Sequence, residues 1–114
     1  MKGNQLEMTL LFDYYGDLLT EKQKTCFDLY YNQDLSLSEI AEEAGISRQG
    51  VHDTLARAEE LLAFYEQKLG CIARASRQQT LLEQISRLTD ELAALPGAKE
   101  PAQRILALAQ RMKE

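Results

Sequence analysis

The sequence predicts an all-α fold, with a helix-turn-helix head followed by long C-terminal helices. Three observations carry this reading. Apolar residues recur at helical spacing along nearly the whole chain, from Leu6 to Met112. Two capping boxes, Thr20-Glu-Lys-Gln23 and Ser36-Leu-Ser-Glu39, mark helix starts. Only two prolines, Pro96 and Pro101, fall within 114 residues, so long helices can run almost without interruption.

In chain order, residues 4–18 place Leu6, Leu10, Leu11, Tyr14 and Leu18 on one face, which predicts a first helix ending near Gly16–Leu19. The Thr20 box starts a second helix over about 21–31, with Cys26, Phe27 and Tyr30 inward and Asn32-Gln-Asp34 as its exit. The Ser36 box starts a third, on which Leu35 and Ile40 stand in hydrophobic-staple positions. That helix stops at Gly45, where a left-handed backbone costs little. Ser47 can cap a fourth, with Ile46 and Val51 again at staple positions. Val51, Leu55, Ala58, Leu62, Tyr65, Leu69 and Ile72 continue as a heptad-like seam that Gly70 interrupts. A second seam comprises Leu81, Ile85, Leu88, Leu92 and Leu95. After Pro96-Gly97, Pro101 suits the first turn of a last helix carrying Ile105, Leu108 and Met112.

Composition narrows the classes of function. Apolar residues at 45% supply a core despite 27% charged residues, which argues against disorder. No apolar run approaches the ~20 residues of a membrane helix. Lys2 is followed by polar residues and Met8–Phe12 is a short apolar stretch, so no secretory signal is expected. Cys26 and Cys71 are too few and too separated for a disulfide framework or zinc site, and they read as reduced thiols of a cytoplasmic protein. No phosphate-binding glycine loop is present. Glu42-Glu43 and Glu59-Glu60 are adjacent on their helices, so each reads as a solvated face rather than an acid–base dyad. His52, the single histidine, has no metal-spaced partners and reads as a solvated helix residue. The chain is therefore expected not to be an enzyme and to need no cofactor or metal.

The formal charge of −5 is unevenly spread. Residues 1–69 carry six basic and thirteen acidic side chains, net −7, and residues 70–114 carry seven and five, net +2. DNA contact by the first part requires a local cationic patch working against the overall field.

A helix-turn-helix needs a small residue where its helices cross, and Ala41 and Ala44 are placed to supply it. Ile40, Ile46, Val51 and Leu55 would fill the space between the helices. The stretch Ser36-Leu-Ser-Glu-Ile-Ala-Glu-Glu-Ala-Gly-Ile-Ser-Arg-Gln-Gly-Val51 resembles the sigma-factor region that reads the upstream promoter element. Over about residues 6–95 the chain resembles the YlxM family more closely. That likeness rests on Ser47-Arg-Gln49, Val51, Asp53, Arg57, Glu59, Leu61-Leu62, Tyr65-Glu66, Lys68-Leu69-Gly70 and the opening Leu11-Phe-Asp-Tyr-Tyr-Gly-Asp-Leu-Leu19. It implies a DNA-binding protein linked to the signal recognition particle pathway. Residues 1–69 are then a winged-helix-like or sigma-like head, and residues 70–114 a helical extension that dimerises.

The N-terminal residues of a recognition helix meet base edges. Arg48 can read guanine or clamp phosphate, and Gln49 can read adenine bidentately. Ser47 can bring a phosphate to the helix N-terminus, and His52, Asp53 and Arg57 complete the DNA-facing set. Asp53, Glu59 and Glu60 oppose phosphate on the same surface, and Gly50 is a poor helix former that contributes no contact. The alternative reading is an adaptor that binds a component of the signal recognition particle machinery without reading DNA sequence. It draws on the acidic head and the basic Arg74, Arg77 and Arg87.

Tyr65, Leu69 and Ile72 extend beyond what a three-helix head requires, and with the Leu81–Leu95 seam they need a partner. A hairpin about Gly70 and the polar 74–79 stretch would satisfy the seams within one chain. It would leave Leu61, Leu82, Leu106 and Met112 poorly covered, so the pattern favours a homodimer.

Overall fold

In a computed structural model, residues 4–113 are described, and the N-terminal Lys2 considered above lies outside them. Six helices follow one another: α1 (Gln5–Tyr15), α2 (Glu21–Phe27), α3 (Leu37–Ala44), α4 (Arg48–Leu69), α5 (Cys71–Ala93) and α6 (Lys99–Arg111). No strand forms among the described residues, so the helix-turn-helix carries no β-wing there. Contacts group the chain into two units, residues 1–72 and residues 73–114.

The first unit is α1 to α4 packed around one core. Both capping boxes form. Thr20 Oγ1 accepts from the Gln23 N–H while Gln23 returns to the Thr20 N–H, and Ser36 and Glu39 do the same at α3. At the centre Phe27, Ile40, Val51, Ala58 and Leu62 are fully enclosed. Leu35 and Ile46, in the staple positions, pack partly buried against them.

The inward face of α1 differs from the one its apolar spacing marks. Leu11 and Tyr15 are buried, with Met8 and Phe12 partly so, whereas Leu6, Leu10, Tyr14 and Leu18 are exposed. The two sets are one residue out of step, about 100° around the helix. Phe12 settles the choice by stacking on Phe27, ring centroids 4.6 Å apart.

The second helix also departs from uniform α geometry. From Asp28 to Asn32 it widens to a π-helical turn, closed by the Gln33 N–H on the Asp28 carbonyl at 3.1 Å. One extra residue in the turn shifts the inward position, so Leu29 and Tyr31 are buried and Tyr30 only partly. Tyr31 then stacks on Phe27 at 4.4 Å.

Tyr65 and Ile72 pack against the head core and need no outside partner; Leu69 alone of the three stands exposed. Tyr15 holds this end of the head. Its hydroxyl donates to Glu66 Oε1 and accepts from the Cys71 N–H at 3.1 Å, and Glu66 accepts from the Ile72 N–H at 3.0 Å. The first amides of α5 are thereby capped by head side chains. Burial, then the hydrogen bond to Glu66 and the neighbouring Cys71, push the Tyr15 phenol up to about 12.

In the second unit, α5 from residue 73 onward and α6 run antiparallel. Gln78 Nε2 donates to the Met112 carbonyl at one end, and Thr89 and Ala93 border a cleft with Lys99 and Ala102 at the other. The buried positions are Leu82, Thr89, Ala102 and Ala109. This corrects the expected cover of several residues: Leu82 is inside, Leu106 half-buried and Leu61 packed on the head core, while Met112 is exposed. Thr89 of α5 and the small Ala102 and Ala109 of α6 let the helices approach on the Leu82 face.

Candidate nucleic-acid interface

Helix α3 ends at Gly45, whose φ of 70° lies in the left-handed region. The Gly45 and Ile46 N–H groups both close on the Ala41 carbonyl, and two residues later Ser47 caps α4. At the crossing, Ala41 packs against the core but Ala44 is exposed, so Ala41 is the small residue that lets the helices meet.

Ser47, Arg48, Gln49, His52, Asp53 and Arg57 all stand exposed over the first three turns of α4. Val51, Leu55, Ala58 and Leu62 anchor the opposite face in the core. Ser47 Oγ accepts from the Gly50 N–H at 2.9 Å, so its hydroxyl already serves the helix end. A Cβ at residue 50 would stand 3.1 Å from that oxygen, so a larger residue there would require a shift of a few tenths of an ångström.

Most polar side chains here already have partners. Gln49 Nε2 donates to Asp53 Oδ1 at 2.9 Å, and His52 Nδ1 lies 3.4 Å from the same oxygen. Arg57 Nη1 pairs with Glu60 Oε2 at 3.4 Å. Arg48 is the cation of this set with no side-chain partner among the described residues. Exposed hydrogen bonds and ion pairs of this kind cost about 1 kcal/mol or less to exchange for others. The Gln49 amide and Arg57 guanidinium can therefore be recruited, and Asp53 is the acceptor that holds Gln49 and His52 meanwhile. The Gln49–Asp53 pair has the i, i+4 spacing that could have been read from sequence.

Two features of this face were hidden in the sequence. Glu59 is half-buried, not on a solvated face: it accepts from the Tyr31 hydroxyl at 2.7 Å, a contact that exists because the π turn brings Tyr31 inward. Beside it, Tyr30 and Leu37 join His52, Ala56 and Glu59 around a shallow cleft along α4. On α3, Glu39, Glu42 and Glu43 border Leu35 at an acidic surface depression. The hydrogen bonds of Glu39 with the Ser36 backbone, then the Ser36 hydroxyl, hold its carboxyl below the usual range.

A short capped helix, a left-handed glycine turn and a longer helix with an exposed polar first turn define a helix-turn-helix protein. The family model described as "Putative helix-turn-helix protein, YlxM / p13 like" matches residues 2–97. The chain belongs to this family, UPF0122. A UPF0122 protein of Desulforamulus reducens is 46% identical over 102 residues, covering 88% of this chain and 87% of its own. One from Caldanaerobacter subterraneus is 51% identical over 85 residues, covering 75% and 73%. Another, from Halalkalibacterium halodurans, is 44% identical over 93 residues, covering 82% and 85%. No helix among the described residues is long and apolar enough to cross a membrane.

Proposed function

We propose that this protein is a non-catalytic DNA-binding regulator of the cytoplasm that docks the first turns of α4 in the major groove. The observation that carries this reading is the exposed Arg48, with no side-chain partner among the described residues, at the first position of a capped helix packed against α3. Arg48 contacts guanine or phosphate, Gln49 exchanges Asp53 for adenine, and Ser47 sets the helix end against the backbone. Arg57 leaves Glu60 for a phosphate, and His52 and Asp53 border the groove. With one or two phosphates neutralised per head, binding is weak and its salt dependence shallow, a log–log slope of about −1 to −2. Fluorescence anisotropy with genomic duplex fragments at several salt concentrations tests this. Arg48→Ala should flatten the slope by about 1. Arg48→Ala and Gln49→Ala variants indistinguishable from wild type, with no preference among fragments, would refute the reading.

A second reading is favoured by the carboxylates of α3. Glu42 and Glu43 are exposed where the first helix of the motif would cross phosphates, and Asp53 and Glu60 add to them on α4. That surface suits a basic protein surface, consistent with an adaptor for a component of the signal recognition particle machinery, as likeness to the YlxM family implies. Affinity capture separates the two: the particle's protein or RNA recovered without DNA supports the adaptor.

A further inference from the structure

The second unit leaves open a larger apolar face than the one it buries. On α5, Leu81, Leu88 and Leu95 beyond its end are 53%, 64% and 57% exposed, with Ile85 and Leu92 half-buried between them. These five residues sit about 100° around the helix from the Leu82–Thr89 face that meets α6. On α6, Ile105, Leu108 and Met112 are 44%, 62% and 60% exposed. They lie about 90° from the Ala102–Ala109 face, in the same rotational sense. Two antiparallel helices turned by equal amounts in the same sense present those rows on one side. The opposite side bears this out, because Glu83 and Ser86 of α5 and Gln110 and Lys113 of α6, rotated the other way, line a shared cleft.

We infer that this two-helix face is the homodimer interface, closed by the same face of a second copy into a four-helix bundle. Three observations favour a second copy as occupant. From Leu81 to Leu95 the face carries no charge, and the exposed Arg77 that continues its row stands beyond that end, so the apolar centres of two copies meet across a two-fold axis without like-charge contact. Its exposed apolar area is on the order of 500 Å² per copy, which brings a pair to the threshold of about 1,000 Å² that a specific interface must clear. The unit spans only residues 73–114 and buries Leu82, Thr89 and two alanines, a size and core at which chains depend on oligomerisation. This inference does not depend on what α4 binds.

Sedimentation equilibrium of the full chain over micromolar concentrations tests it, and the expected mass is that of a dimer. Leu88→Gln should raise the dissociation constant at least tenfold, since two copies of the side chain leave the interface. The triple variant Leu81→Gln, Leu88→Gln, Leu108→Gln should sediment as a monomer. All five tyrosines precede residue 73, so a preserved tyrosine circular dichroism signal distinguishes loss of the dimer from unfolding of the head. Leu6→Gln, on the exposed row of α1, should leave the mass unchanged. A monomeric wild type overturns the inference. A triple variant that remains dimeric, or a Leu6→Gln variant that dissociates, overturns the choice of face.

Discussion

Replacing Phe27 probes the packing on which the head depends. Phe27 is fully enclosed, with Phe12 stacked on one side at 4.6 Å and Tyr31 on the other at 4.4 Å. Truncation to alanine leaves a cavity and removes both aromatic pairs, a loss of about 3–5 kcal/mol. A head of roughly 70 residues has about 4–11 kcal/mol of stability in all, so Phe27→Ala should remove a large share of it. Phe27→Leu keeps most of the volume and loses the two stacked faces, about 1–3 kcal/mol. Near-ultraviolet circular dichroism through a urea titration reads only the head, because Tyr14, Tyr15, Tyr30, Tyr31 and Tyr65 all lie in it and there is no tryptophan. At a slope of ~1 kcal/mol per molar, Phe27→Leu should lower the midpoint by about 1–3 M. A midpoint within about 0.3 M of wild type would refute the view that these three rings hold the head together.

Three other outcomes follow from the same geometry. Tyr31→Phe keeps the stack but removes the hydroxyl from Glu59, and should cost about 1.5–3 kcal/mol in the same titration; an unchanged midpoint would mean that water replaces the contact. The Tyr15 phenol, raised to about 12, contributes stability that is fully present below about pH 10 and lost as pH rises toward 12. Tyr15→Phe should remove a late-ionising component from the ultraviolet titration. Glu39, lowered by its Ser36 hydrogen bonds, contributes stability present above about pH 4.3 and lost as pH falls through its folded value. Glu39→Gln should therefore flatten the acid limb of the stability profile, and an identical limb would discount the Ser36–Glu39 box as its source.

What the sequence determined by itself are features set by neighbours in the chain. The boxes at Thr20 and Ser36, the glycine turn at Gly45, the Ser47 cap and the Val51–Leu62 stripe are legible because each needs only residues three or four apart. So is the placement of Ser47, Arg48, Gln49, His52, Asp53 and Arg57 on the outside of α4, since a buried stripe fixes the opposite face. Tertiary structure alone decided which of two adjacent apolar rows turns inward. On α1 and the turn that follows it, Leu6, Leu10, Tyr14 and Leu18 are as regularly spaced as Leu11 and Tyr15, and the fit of Phe12 against Phe27 selects the latter. On α5, Leu82 and Thr89 win over Leu81 and Leu88 because Ala102 and Ala109 offer a close approach from the next helix, whose face periodicity on α5 cannot specify. The π turn at Asp28–Asn32 is of the same kind, shifting burial from Tyr30 to Tyr31 and carrying a hydroxyl to Glu59. Periodicity defines a stripe to within about one residue, or 100° of rotation, and the shape of the partner surface determines the rest.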